Sequence, residues 1–92
     1  MITSFRHRGL KRFFEEDDSR KLPPDMVERI KAILARLHQA EMIEDMNVHS
    51  YKLHPLKGSR KGEWAITVKA NWRMTFRFEE GSAIEVNLED YH

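Results

Sequence analysis

The stretch Trp64-Ala65-Ile66-Thr67-Val68-Lys69-Ala70-Asn71-Trp72-Arg73-Met74-Thr75-Phe76-Arg77-Phe78 decides the fold. Within it the even positions Trp64, Ile66, Val68, Trp72, Met74, Phe76 and Phe78 are large and apolar, and the odd positions are small or polar. A period of two arises when successive side chains point to opposite faces of a strand. Ala70-Asn71 interrupts the alternation as a turn, and Glu80-Gly81-Ser82 does so again. From Ser82 to Leu88 the pattern returns, with Ile84, Val86 and Leu88 on one side and Glu85, Asn87 and Glu89 on the other. Three strands of like parity predict an antiparallel sheet that buries its even face. The other face is expected to carry Thr67, Lys69, Arg73, Thr75 and Arg77 toward solvent.

Upstream of the sheet the period is helical. Gly9 to Glu15 places Leu10, Phe13 and Phe14 at helical spacing before an acidic run. After Pro23-Pro24, Asp25 supplies an acid to a first turn, and Val27, Ile30, Ile33, Leu34 and Leu37 form one apolar stripe. Met1 to Phe5 is too short to assign, with an edge strand as one option. The expected architecture is α+β: two N-terminal helices packed on one face of a small, mostly antiparallel sheet. At 92 residues, with no repeat or linker, residues 1–92 are expected to form a single domain. The chain has no cysteine, which excludes a disulfide framework and thiolate chemistry. The basic opening Met1-Ile2-Thr3-Ser4-Phe5-Arg6-His7-Arg8 lacks the apolar run of a signal peptide or membrane anchor, so a cytoplasmic protein that does not engage membranes is expected.

The net charge of +1 conceals a segregation of charge. Residues 51–77 hold seven Lys/Arg and one acid, Glu63, whereas residues 78–92 hold five acids and no Lys/Arg. A cationic segment flanked by acid is either a footprint for a phosphate backbone or a solvated surface neutralised by its neighbours. Within it, Tyr51-Lys52-Leu53-His54-Pro55-Leu56-Lys57-Gly58 sets a titratable histidine three residues before a lysine at an expected strand end, a usual place for a site. At Asp90-Tyr91-His92 the terminal carboxylate favours the protonated His92 ring.

Singly, His54 and His92 are ordinary surface histidines; together with nearby cations they suit metal-free cleavage of RNA. That reaction needs a base for the 2′-hydroxyl, charge to stabilise the phosphorane, and an acid for the leaving oxygen. Imidazole, with a pKa of about 6.5, suits both proton transfers, and the planar fork of Arg suits a phosphate. His54 or His92, Lys57 and Arg73 are candidates for these tasks. Tyr91 is a candidate platform for an unpaired base, or a packed rim residue, and Asn71 is either a base-edge contact or a turn former. There is no Gly-rich phosphate loop, zinc motif or Ser/His/Asp context, and the run Glu15-Glu16-Asp17-Asp18 reads as a solvated patch, so neither metal nor cofactor is expected.

Three segments carry a family resemblance: Tyr51 to Gly58; the spaced pattern Gly62-x-Trp64-x-Ile66-Thr67-Val68-x-x-Asn71-Trp72-Arg73-x-Thr75-Phe76; and Asp90-Tyr91-His92. With the opening Ile2-x-Ser4-Phe5-x-His7-x-Gly9-Leu10, they make the whole chain resemble a HigB-type toxin. The resemblance implies a RelE-like fold and metal-independent cleavage of mRNA codons in the ribosomal A site. It also implies neutralisation by a helix-turn-helix, HigA-like antitoxin, with promoter DNA engaged only through that complex. By position it implies catalytic or phosphate-contacting roles for His54, Lys57, Arg73, Asp90, Tyr91 and His92, and RNA contacts for Asn71 and Lys69. Lys69 stands where relatives often carry Arg, which keeps the charge but not the fork. Asp90, by strand parity, is open to a place on the core side, where it would only orient a neighbour. The competing reading is a non-catalytic module of the same fold that binds ribosome, RNA or antitoxin. A DNA-binding role fits less well, because the long helix is followed by Glu41, Glu44 and Asp45 rather than cations.

Overall fold

The computed structural model describes residues 1–91. Helix α1 (Arg8–Glu16) and helix α2 (Val27–Gln39) precede four strands, β1 (His54–Pro55), β2 (Glu63–Lys69), β3 (Trp72–Glu79) and β4 (Ser82–Asp90). Short 3₁₀ turns at Pro24–Met26, Ile43–Met46, His49–Tyr51 and Gly58–Arg60 fill the connections. The strands form one antiparallel sheet in the order β1-β2-β3-β4. Residues Ile2 and Phe5 add isolated parallel bridges to Ala83 and Val86 along the outer edge of β4, the edge option that the length of Met1 to Phe5 left open.

Local chemistry explains both helices. The His7 side chain caps α1 by accepting from the Leu10 N–H at 3.1 Å, and Asp17 ends the helix in the left-handed region with its N–H on the Phe13 carbonyl. In α2 the Pro24–Met26 turn leads directly into the helix, and Ile30, Ile33, Leu34 and Leu37 are all buried. They meet Ile66, Met74, Phe76, Val86 and Leu88 from the even face of the sheet, with Leu10 and Phe13 of α1 completing the core. Trp64, Trp72 and Phe78 pack around its margin, half-buried.

The His7 cap yields a prediction. Burial holds its imidazole pKa below the ordinary value of 6.5, and protonation would also destroy the acceptor that caps α1. Stability from this group is therefore complete above its unfolded pKa and lost as pH falls through the lower folded value. On acidification the thermal midpoint is expected to begin falling below about pH 6.5, well before the carboxylates titrate near about pH 4. His7→Asn, which keeps a capping oxygen, is expected to shrink that first step, and His7→Ala to cost about 1 kcal/mol at neutral pH. A midpoint indifferent to pH between 7 and 5 would contradict it.

Two bulges alter the expected faces. Between Thr75 and Arg77 the β3–β4 register slips: Thr75 faces Asn87, whereas Arg77 faces Ile84. Glu85, at φ 53, lies within this irregularity. The extra residue in β4 reverses parity, so Ala83 turns to the core and Ile84 joins Arg77 on the opposite face, not Val86 and Leu88 as simple alternation predicts. A second slip at Val68 pairs Lys69 with Trp72 instead of continuing the row that pairs Thr67 with Arg73. Lys69 thereby leaves the polar face and forms an ion pair with Asp25 at the entry to α2. Thr75 keeps its predicted face but is only 1% exposed, because other side chains cover it.

Candidate functional site

Cross-strand pairing orders the polar face into rows. One row runs His54, Ala65, Thr75 and Asn87; the next, Thr67, Arg73 and Glu89; the one on the other side, Glu63, Arg77 and Ile84. Over these rows lies Arg60, from the turn between β1 and β2. Its Nε and Nη2 donate to the Glu63 carboxylate at 3.2 and 2.9 Å, and its Nη1 donates to Glu89 Oε1 at 2.8 Å. Nη2 also reaches Glu89 Oε2, which accepts from the Thr75 hydroxyl at 2.6 Å. This double fork explains why the face is less cationic than the sequence segment: its central positive charge is matched by two carboxylates from β2 and β4. The Glu89 and Glu63 bonds hold the Arg60 guanidinium firmly protonated, and the Arg60 bonds in turn hold both carboxyls below the ordinary range.

The C-terminal segment closes against this cluster. The Tyr91 backbone N–H donates to the Asn71 carbonyl at 2.8 Å, tying the tip of the β2–β3 hairpin to the end of β4. The Tyr91 hydroxyl accepts from Arg60 Nη1 at 3.3 Å, and the Arg73 guanidinium stands 5.8 Å from the centre of its ring. Arg73 itself is steadied by Nη1, which donates to the carbonyls of Ala70 at 2.6 Å and Trp72 at 3.2 Å. Its Nε and Nη2 have no bonded partner among the described residues, so one edge of the fork is available for an anion. Asn71, Arg73 and Tyr91 are thus brought together, with Asn71 exposed at the hairpin tip.

His54 shares this face but sits on β1, two strands from Arg73, which at the usual strand spacing is about 10 Å. Its ring is exposed, with Nδ1 3.0 Å from the Lys52 carbonyl. A carbonyl only accepts, so Nδ1 carries the proton and Nε2 of the neutral ring keeps its lone pair. Lys57 is exposed at the start of the Gly58–Arg60 turn, on a recess of about 400 Å³ shared with Pro55, Lys61, Gly62 and Trp64. Asp90 pairs with Trp72 across the strands, which gives it the helix-side parity at the end of β4, although it is exposed. The predicted role at His92 lies outside the described residues. Sequence reasoning missed Arg60 and its carboxylates: as one of seven cations in a basic run it has no local mark, and only the folded register brings Glu63 and Glu89 beneath it.

Gly62 shapes the same loop. It holds φ +101, and a Cβ there would come within 2.7 Å of Arg77 Nη1. Gly62→Ala is expected to destabilise by about 1–3 kcal/mol, read as a lower denaturation midpoint.

The fold is that of the RelE-like toxins. It superposes on a mutant YafQ from E. coli with a TM-score of 0.63 at 16% identity, covering 98% of this chain and 91% of that one. A YoeB–YefM complex from Staphylococcus aureus gives 0.59 at 15% identity, covering 100% and 95%. Residues 3–92 match the HigB-like toxin model, described as the RelE-like toxin of the type II toxin–antitoxin system HigB. A protein of Proteus vulgaris named Endoribonuclease HigB is 50% identical over 92 residues, the full length of both chains. The chain belongs to the HigB-like toxin family, and its partner in such a system is an antitoxin.

Proposed function

We propose that this toxin is an endoribonuclease that cuts mRNA in the ribosomal A site. The name of the half-identical Proteus vulgaris relative supports the nuclease activity. The observation that carries the reading is the shared face itself, which presents an imidazole with a fixed proton-accepting nitrogen and a guanidinium with an open edge.

Cleavage by this face runs as an internal transesterification. The His54 Nε2 lone pair takes the proton of a ribose 2′-hydroxyl, and the 2′ oxygen forms a bond to the adjacent phosphorus. The open edge of Arg73 and the Lys57 ammonium bind the non-bridging oxygens as charge builds on the phosphorane. The bond from phosphorus to the 5′ oxygen then breaks, leaving a 2′,3′-cyclic phosphate on one product and a 5′-hydroxyl on the other. The leaving oxygen takes a proton from the C-terminal group of Tyr91 and His92, with Asp90 orienting its neighbours. Asn71, at the exposed hairpin tip, contacts the codon. Lys69, ion-paired to Asp25 on the other side of the sheet edge, acts on RNA only if that pair opens. No step calls for a metal or cofactor.

The protein works in the cytoplasm, where its antitoxin is a HigA-like helix-turn-helix protein and promoter DNA is met only through their complex. No helix among the described residues is long and apolar enough to cross a membrane. The test in cells is induction of the toxin without antitoxin, followed by mapping of new mRNA 5′ ends. In-frame cuts confined to translated regions are expected, and cuts spread equally over untranslated RNA would overturn ribosome dependence.

A further inference from the structure

We propose that Arg60 is a positioning residue for the cleavage reaction, holding the Tyr91 hydroxyl in place and locking the Lys57-bearing turn to the end of β4. This rests on the nuclease reading above. Among the described residues, Arg60 is the one side chain that bridges these two parts of the site. It follows Lys57 by three residues within the turn, and its guanidinium spans from Glu63 on β2 to Glu89 and Tyr91 at the end of β4.

The chemistry of the contact sets the direction of the Tyr91 proton. A guanidinium only donates, so at 3.3 Å the Tyr91 oxygen is the acceptor and its own hydrogen is directed elsewhere, toward any group lying over the face. Arg60 cannot itself serve as a phosphate ligand while both forks are filled, because Glu63 and Glu89 already neutralise it at short range. Its contribution is therefore geometric. Glu89 shares the task, since its carboxylate ties Arg60 to the buried Thr75 hydroxyl and fixes the guanidinium against the sheet. A merely structural ion cluster would not need the additional bond to a tyrosine at the margin of the site.

The experiment is a double-mutant cycle of Arg60→Lys with Tyr91→Phe, read by single-turnover cleavage on programmed ribosomes. Lysine keeps the charge over Glu63 and Glu89, so the fold survives, but it cannot span both carboxylates and the hydroxyl. Arg60→Lys is expected to lower the cleavage rate by about 10- to 100-fold with little change in half-saturating concentration, the signature of a misplaced group. In the Tyr91→Phe background the same change is expected to cost several-fold less, because the hydroxyl it positions is gone and only the loosened Lys57 turn remains to slow the reaction. A full rate in Arg60→Lys, or losses that simply multiply in the double variant, would overturn the proposal. If the wild-type protein itself does not cleave, the nuclease reading fails first. The positioning claim is then decided by the Tyr91 ring resonances, which move in Arg60→Lys if the guanidinium holds the hydroxyl and stay in place if it does not.

Discussion

Arg73→Ala is expected to reduce cleavage by about 100- to 1,000-fold, corresponding to about 2.7–4 kcal/mol of lost transition-state stabilisation, while leaving the protein folded. The size follows from what Arg73 does. It is the guanidinium of the site with an unbonded edge, and a phosphorane gains charge on the oxygens that such an edge can grip in pairs. Its side chain lies on the polar face of β3, opposite Thr67 and Glu89, and its bonds to the Ala70 and Trp72 carbonyls are made at the hairpin's surface. Removing it opens no core cavity, so the thermal midpoint is expected to move by only a few degrees. Arg73→Lys separates charge from shape, and is expected to recover part of the rate but not all of it. An unfolded Arg73→Ala protein would contradict the assignment of faces, and a fully active one would remove Arg73 from the chemistry.

His54→Ala is expected to act on the rate by a similar factor, about 10² to 10⁴, through proton transfer instead of charge. Because the ring is exposed and its recorded bond is to the Lys52 carbonyl two residues away, stability is expected to change by less than about 0.5 kcal/mol. The discriminating measurement is single-turnover cleavage read beside the thermal midpoint. An undiminished rate in a folded His54→Ala protein would assign the base to another residue.

The sequence was most informative where one regular element meets one core. The stripe from Val27 to Leu37 and the alternation from Trp64 to Phe78 specify α2 and the central hairpin, because burial on one side enforces a period that survives folding. Alternation failed at Ile84 and Lys69 for one physical reason. A bulge adds a residue to one strand only, and at Glu85 the chain takes a positive φ without a glycine to announce it. The acidic segment 41–50 carries no period to read, and it folds as 3₁₀ turns whose bonds are local.

The site was legible in part. His54, Asn71, Arg73 and Tyr91 have residue types and positions that suit RNA, and three of them are joined in the structure by short contacts. The arrangement that binds them was not legible. Glu63 and Glu89 are 26 positions apart in the chain and become neighbours only when β2, β3 and β4 are in register, so the role of Arg60 depends on tertiary structure alone. The basic run therefore overstated the open charge, because three of its seven cations, Arg60, Lys69 and Arg77, are already paired with carboxylates.

The most direct measurement is cleavage of a defined mRNA by the purified protein in the presence of chelator, with and without programmed ribosomes, with both new ends mapped. Cutting within the A-site codon only when ribosomes are present, leaving 2′,3′-cyclic or 3′-phosphate ends, is the predicted result. Binding without cleavage under both conditions would contradict it and leave a module that occupies the ribosome without cutting.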